Sequence, residues 1–311
     1  MRVLVVGATG VLGRNVIPRL LERGHQVRAV VRRNEQARFL NAMGAEAVLG
    51  NVLDAKGMTT AARGIHIGLH LATAFPENSS QDWSLKDRIR LEGTRNLLDA
   101  LIKNGAQHYV QQSITLVYGE QGEEIVDETA PSQATPINQS AIEMEAMVRD
   151  ANLGWTILRG GLFYGPGTGR EESWWQAARH GRMTIPGDGS DLISLVHVVD
   201  MARAVVAATE HMPTQAGSTY NIVDNEPVRM KDLFRYVSAQ ASEQEPRTGG
   251  PRLLPSLGVR NVRAQIELNW RPVFPNYQIG LAYAQPEGIE NSIQRMASPR
   301  AADHQQTEAI L

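Results

Sequence analysis

The chain begins with an apolar run, Val3-Leu4-Val5-Val6, that passes without a spacer into Gly7-Ala8-Thr9-Gly10-Val11-Leu12-Gly13 and then into a helix-periodic stretch closed by Gly24. Three glycines spaced three apart, between an apolar strand and a helix, restrict the fold more than any other feature of the sequence. A tight turn requires the first glycine, close approach of backbone to a diphosphate the second, and close packing of helix on strand the third. The turn also aims the free N–H groups of the helix's first residues at any anion placed there. These residues therefore predict a dinucleotide site built on Gly7, Thr9, Gly10, Val11, Leu12 and Gly13. A plain β-turn-α connection is the competing reading.

Strand-like and helix-like segments alternate over the first half. Val27–Val31, Ala45–Leu49, Ile65–Leu71, Tyr109–Gln112 and Trp155–Leu158 read as strands. Val11–Arg23, Asn34–Met43, Trp83–Asn104 and Ile137–Asp150 read as helices. This alternation predicts an α/β fold with a parallel sheet covered on both faces and right-handed crossovers. After Arg159 five glycines and a proline, between 160 and 169, break regular structure, and shorter elements follow. The polar stretch from about Ser298 reads as a frayed tail.

The bulk properties exclude several function classes. A net charge of −2 offers no basic field for nucleic acid. Cysteine is absent, which removes disulfides, thiolate metal sites and a cysteine nucleophile. The histidines show no metal-ligand spacing, so no metal is expected. No apolar run approaches the roughly 18 residues of a membrane helix. The first strand starts within two residues of Met1, so no signal peptide is expected and a cytoplasmic location is the default.

Seven separated blocks together resemble the extended and atypical short-chain dehydrogenase/reductases, the group that includes nucleotide-sugar epimerases and dehydratases. They are the Gly7–Gly13 turn, His70-Leu71-Ala72-Thr73-Ala74, Glu92-Gly93-Thr94-Arg95-Asn96-Leu97-Leu98, Val117-Tyr118-Gly119, Ile157–Arg159 leading to Tyr164-Gly165-Pro166-Gly167, Val196–Ala202, and Leu268–Pro272. The resemblance implies a Rossmann-type doubly wound sheet over residues 1–159. A small C-terminal substrate lobe, interleaved with the sheet, would occupy 160–285, and 286–311 would be tail. It also implies cofactor contacts from Val52, Leu71, Ala72 and Thr73, and a homodimer through the long helix and the Ile137 helix.

The second strand ends in Val30-Val31-Arg32-Arg33. A site for NAD usually carries a carboxylate here, to accept from the ribose hydroxyls. Arginine instead suits a 2′-phosphate, so Arg32 and Arg33, with Arg14 just after Gly13 as a further positive charge, favour NADP(H) over NAD(H). Solvated loop charges are the bland alternative. Asp54 falls where the family places an acid near the adenine amine, and it reads equally as a helix N-cap.

The family's hydride chemistry uses Tyr-x-x-x-Lys on the helix after the fifth strand. Aligning Ser140 with the serine that often precedes the lysine puts Ile137 at the tyrosine position and Ala141 at the lysine position. Neither moves a proton. Arg90 takes the place of the long-helix asparagine, and Ile114 that of the usual hydroxyl. Ser113, Thr115, Tyr118 and Asn138 are the nearby catalytic candidates, with Tyr164 beyond them.

Three functions remain open: a reductase of a small, mostly apolar carbonyl or unsaturated substrate with a non-standard active site; an inactive NADP(H)-sensing regulator; and a non-redox enzyme on the same fold. Trp174, Trp175 and Phe163 suit an apolar pocket but read more readily as lobe core. Asp200 reads as the N-cap of a helix from Met201, Arg159 as an anchor for the lobe, and the acidic run Glu120–Glu128 as a solvated loop.

Overall fold

The computed structural model describes residues 1–73, 84–211, 217–241, 244–252 and 254–283. The first half runs β1 (Arg2–Val6), α1 (Val11–Glu22), β2 (Gln26–Val31), α2 (Asn34–Ala42), β3 (Glu46–Leu49), α3 (Ala55–Ala61) and β4 (Ile67–His70). It continues through α4 (Ser84–Arg88), α5 (Thr94–Lys103), β5 (His108–Ile114), α6 (Gln139–Arg149) and β6 (Gly154–Gly160). The second half supplies α7 (Arg170–Arg179), α8 (Val198–Glu210), β7 (Ser218–Ile222), α9 (Met230–Ala241), α10 (Val262–Glu267) and α11 (Tyr277–Tyr283).

Seven strands form one sheet in the order β7-β6-β5-β4-β1-β2-β3, and every pairing is parallel. Alternate side chains of each strand point to opposite faces. Val3 and Val5 of β1 therefore pack with Leu69, Val110 and Leu158 under α1 and α8. Leu4 and Val6 pack with Tyr109 and Ile157 under α3, α5 and α6. The chain order reverses between β1 and β4, which opens a crevice at the carboxyl ends of those two strands. β7 comes from the second half of the chain yet closes the large sheet beside β6, so the two halves interleave.

The second half is held by short strand pairs. Leu162–Tyr164 pairs with Leu195–His197, and Leu192–Ile193 with Val228–Arg229. Thr184–Pro186 pairs with Arg247–Gly250, and Ile125–Val126 with Gly258–Val259. The strands Leu192–Ile193 and Leu195–His197 are separated by Ser194 alone. Its hydroxyl donates to Leu257 O at 3.1 Å and accepts from Val259 N at 2.8 Å, which turns the chain toward a different partner on each side.

The long helix expected over 83–104 is not continuous. A π-helical turn, Ile89–Gly93, separates α4 from α5. Gly93 explains the close approach there, because a Cβ on it would lie 3.0 Å from Val52 Cγ1 and 3.3 Å from His70 Nε2. Ala74, Trp83 and the 286–311 tail lie outside the described residues. No helix among the described residues is long and apolar enough to cross a membrane.

Candidate active site

The Gly7–Gly13 turn sits at the crevice. Gly7 has φ +89°, and a Cβ on it would lie 2.5 Å from Ala72 N and 2.6 Å from Leu71 C. The backbone leaving β4 thus runs directly against the turn, with Leu71 N donating to Val6 O at 2.9 Å. A Cβ on Gly13 would lie 2.2 Å from Gly7 O, so the first turn of α1 is pressed onto the loop before it. Gly10 differs: its Cβ position meets only Gly7 O, at 3.3 Å, and the residue is exposed. No side chain caps α1, and its first turn carries no acid. The first N–H groups of α1 therefore have no side-chain acceptor beside the exposed Gly10, and a turn of this kind fits a dinucleotide diphosphate.

Around this turn, Thr9 and Val11 are half-buried, Leu12 is buried, Ala72 is half-buried and Thr73 is exposed. Val52 is buried against Gly93, and its carbonyl accepts from Asn96 Nδ2 at 2.9 Å. Asp54 caps α3, accepting from Lys56 N at 3.1 Å, and remains exposed. Arg32 and Arg33 project from the end of β2 into solvent, and with Arg14 they make no ion pair with the described residues. The Arg14 guanidinium lies beside Gly167 of the second half.

On the other side of the crevice, most of the candidate polar groups turn inward. Ser113 donates to Glu145 Oε1 at 2.6 Å. Glu145, wholly buried on α6, also receives Arg159 Nη2 at 2.6 Å and Arg149 Nη2 at 2.6 Å. Burial alone would raise the Glu145 pKa. The Arg159 hydrogen bonds and charge, with help from Ser113 and Arg149, outweigh it and hold the carboxyl below its ordinary value. Arg159 therefore locks α6 to the sheet rather than anchoring the lobe. Tyr118 donates to Asn221 Oδ1 at 2.8 Å, with the Arg159 guanidinium 4.7 Å above its ring, and burial pushes its hydroxyl pKa up.

Asn138 ties down the loop before α6. Its Nδ2 donates to Leu116 O at 2.7 Å and Gln133 O at 2.9 Å, and its Oδ1 accepts from Thr135 N at 2.7 Å. Thr115, at the carboxyl end of β5, is 4 % exposed, and its hydroxyl has no hydrogen bond with the described residues. Ile137 stands 54 % exposed before α6. Ala141 is fully buried in an apolar cluster with Val117, Tyr118, Val223 and Leu257. Glu145 was not singled out from the sequence; an acid one turn beyond Ala141, on the buried face of the helix, was the available signal.

In the second half, the cap assignment for Asp200 is corrected. α8 begins at Val198, and His197 caps it by accepting from Val199 N at 3.3 Å. Asp200 instead accepts from Val273 N and Phe274 N, both at 2.8 Å, because it lies on the helix face that meets that segment. The acidic run is only partly solvated. Glu123 pairs with Arg229, Glu120 with Arg252, and Glu128 accepts from Asn221 N, so the run holds the two halves together. Trp174 and Trp175 belong to the lobe core with Tyr164 and Leu233, whereas Phe163 packs against the sheet core.

Residues 3–223 match the model of the NAD dependent epimerase/dehydratase family. The chain is 30% identical over 308 residues to a 3-diazoavenalumate denitrifying reductase of Streptomyces sp., covering 90% of this chain and 99% of that protein. It is 28% identical to a 2-alkyl-3-oxoalkanoate reductase of Stenotrophomonas maltophilia, covering 77% of this chain and 75% of that one. Among solved structures, the UDP-glucose 4-epimerase of Thermus thermophilus in complex with NAD is similar with a TM-score of 0.75. It is 26% identical and covers 90% of this chain and 96% of that chain.

Proposed function

The chain belongs to the NAD dependent epimerase/dehydratase family, and from that premise we propose that it is an NADP(H)-dependent reductase of a small, mostly apolar organic acceptor. It works without the family's tyrosine–lysine pair. The reductase names of its relatives support the reaction class. One observation carries the reading. The nucleotide cradle at Gly7, Gly10 and Gly13 is intact, while Ala141, at the lysine position, is sealed in an apolar cluster.

When bound, the reduced coenzyme supplies a hydride. Val11, Leu12 and Gly13 hold its diphosphate through their N–H groups, and Leu71, Ala72 and Thr73 line the wall opposite the turn. Arg32 and Arg33, with Arg14, supply guanidinium groups for a 2′-phosphate, whose charge a carboxylate at this place would repel. Asp54 keeps its cap on α3 and leaves a carboxylate oxygen for the adenine amine.

Ser113, Tyr118 and Asn138 direct their polar atoms to Glu145, Asn221 and the 116–135 loop, which makes them positioning residues. Thr115 is the candidate whose hydroxyl remains available to orient the acceptor. With Ile137 and Ala141 in the pair positions, the protein delivers no proton from that corner. The acceptors that suit such a site take their proton from water or need none. A diazo arene is of the second kind: as the diazonium ion it gains one hydride at carbon and loses dinitrogen, and the exchange balances without a proton. The denitrifying relative makes this the first class to try.

The test is oxidation of NADPH and of NADH by the purified protein with arenediazonium, enone and ketone acceptors. Using NADPH labelled with deuterium at the transferring carbon, the label is expected on the product carbon. Stable NADPH binding with no turnover across the panel would overturn the reductase and leave the regulator.

A further inference from the structure

Two cations reach α6 from the long helical segment before it. Arg90, on the π-helical turn, is 7 % exposed, and its Nη1 donates to Ser140 Oγ at 3.1 Å. It makes no ion pair with the described residues. Lys86, one turn earlier and 5 % exposed, places Nζ 3.4 Å from Asp87 Oδ1 and 3.4 Å from the carbonyl oxygen of Ile137. Ser140 Oγ in turn donates to Asp87 Oδ1 at 2.6 Å. The half-exposed Asp87 is thus shared, bonded to Lys86 directly and to Arg90 only through a neutral hydroxyl.

The cluster lies at the carboxyl edge of the sheet. The α4 segment follows the carboxyl end of β4, and residues 137 and 140 stand at the start of α6, beside the positions that the family gives to its catalytic pair. Burying a guanidinium without a carboxylate of its own is unfavourable, and an anion arriving there removes the penalty. Burial lowers the pKa of both cations, and for Lys86 the neighbouring Arg90 charge adds to it. A planar guanidinium with donors left over is shaped for a carboxylate.

We propose that Arg90 and Lys86 form a subsite for the carboxylate of an organic acid, which makes the acceptor of the proposed reductase a small unsaturated or aromatic carboxylic acid. Ser140 holds the Arg90 fork in place, and Asp87 sets its level. The exposed, apolar Ile137 borders the subsite and faces the body of such a ligand. The proposal refines the reductase reading, but the subsite binds its ligand whether or not turnover follows.

Calorimetric titration of cinnamate and of methyl cinnamate into the NADP⁺-loaded full chain tests it without any turnover. The acid is expected to bind the native protein at least about tenfold more tightly than the ester, as for a charge-assisted hydrogen bond. Arg90→Gln and Lys86→Gln are each expected to abolish the preference by weakening the acid alone, and Arg90→Lys to restore part of it. Equal binding of acid and ester by the native protein, or an Arg90→Gln variant with unchanged acid affinity, overturns the subsite. If Arg90→Gln does not fold, Lys86→Gln gives the same comparison. Acid preference without NADPH oxidation on any acceptor would retain the subsite and remove the reductase. Turnover without acid preference would do the reverse.

Discussion

The two walls of the crevice are built by different rules. The β1–α1 wall is made of backbone. Gly7 and Gly13 are fixed by where the chain must pass, and the proposed ligand contacts are N–H groups that every residue but proline carries. The α6 wall is made of side chains. There Glu145 draws Ser113, Arg149 and Arg159 inward, Ala141 is packed away, and Arg90 and Lys86 arrive from another segment. A backbone site tolerates little change and keeps its signature. A side-chain site can be rewired while the fold stays the same, so similarity of fold carries the coenzyme further than it carries the reaction.

The backbone wall is most sensitive at Gly13. A Cβ there has no room beside Gly7 O, so Gly13→Ala must displace the turn. Coenzyme affinity is expected to fall more than about a hundredfold, with a stability loss of roughly 1–3 kcal/mol from overpacking. Gly10→Ala, whose Cβ position is nearly open, is expected to keep folding and lose affinity only. Calorimetry and thermal melts separate the two.

Glu145→Gln is the matching change on the other wall. It leaves two guanidinium groups facing a neutral amide, at a cost of about 3–5 kcal/mol, while coenzyme affinity stays near native. The pH dependence follows from the lowered pKa of Glu145. The folded state holds the carboxylate more strongly than the unfolded chain, so this contribution is full above the unfolded pKa and is lost as pH falls through the folded one. Melting temperature between about pH 6 and pH 3 is therefore expected to drop more steeply for the native protein than for Glu145→Gln. Equal slopes would remove the buried network from the account.

Smaller effects sharpen the contrast. Arg32→Glu is expected to weaken NADPH roughly tenfold or more and NADH much less, because only the former carries the phosphate that a carboxylate repels. Equal weakening would assign Arg32 to solvent. Thr115→Val is expected to lower kcat about three- to tenfold with coenzyme affinity unchanged, as for loss of one orienting hydrogen bond. An unchanged kcat would take Thr115 out of the site.

These differences also decide what the sequence makes legible. The strand–turn–helix start and the alternation through β6 follow from local periodicity and glycine placement, and the sheet forms in that order. The break at Ile89–Gly93 does not follow, and the close approach of Gly93 to Val52 and His70 that accompanies it is long-range. The role of Asp200 was missed for a similar reason: its partners, Val273 and Phe274, lie more than seventy residues away. Around α6 the sequence marks Ile137 and Ala141 plainly, yet gives no sign that Ser113 faces Glu145 or that Lys86 reaches the Ile137 carbonyl. Those contacts depend on which elements the sheet brings together.

On the proposed reading, the opening turn seats a dinucleotide whose phosphorylated ribose meets Arg32 and Arg33. Titrating NADPH and NADH separately into the purified full chain measures it directly. Saturable, one-to-one binding of both, with NADPH the tighter by about tenfold, is the expected result. Absence of binding for either nucleotide would contradict the account at its base.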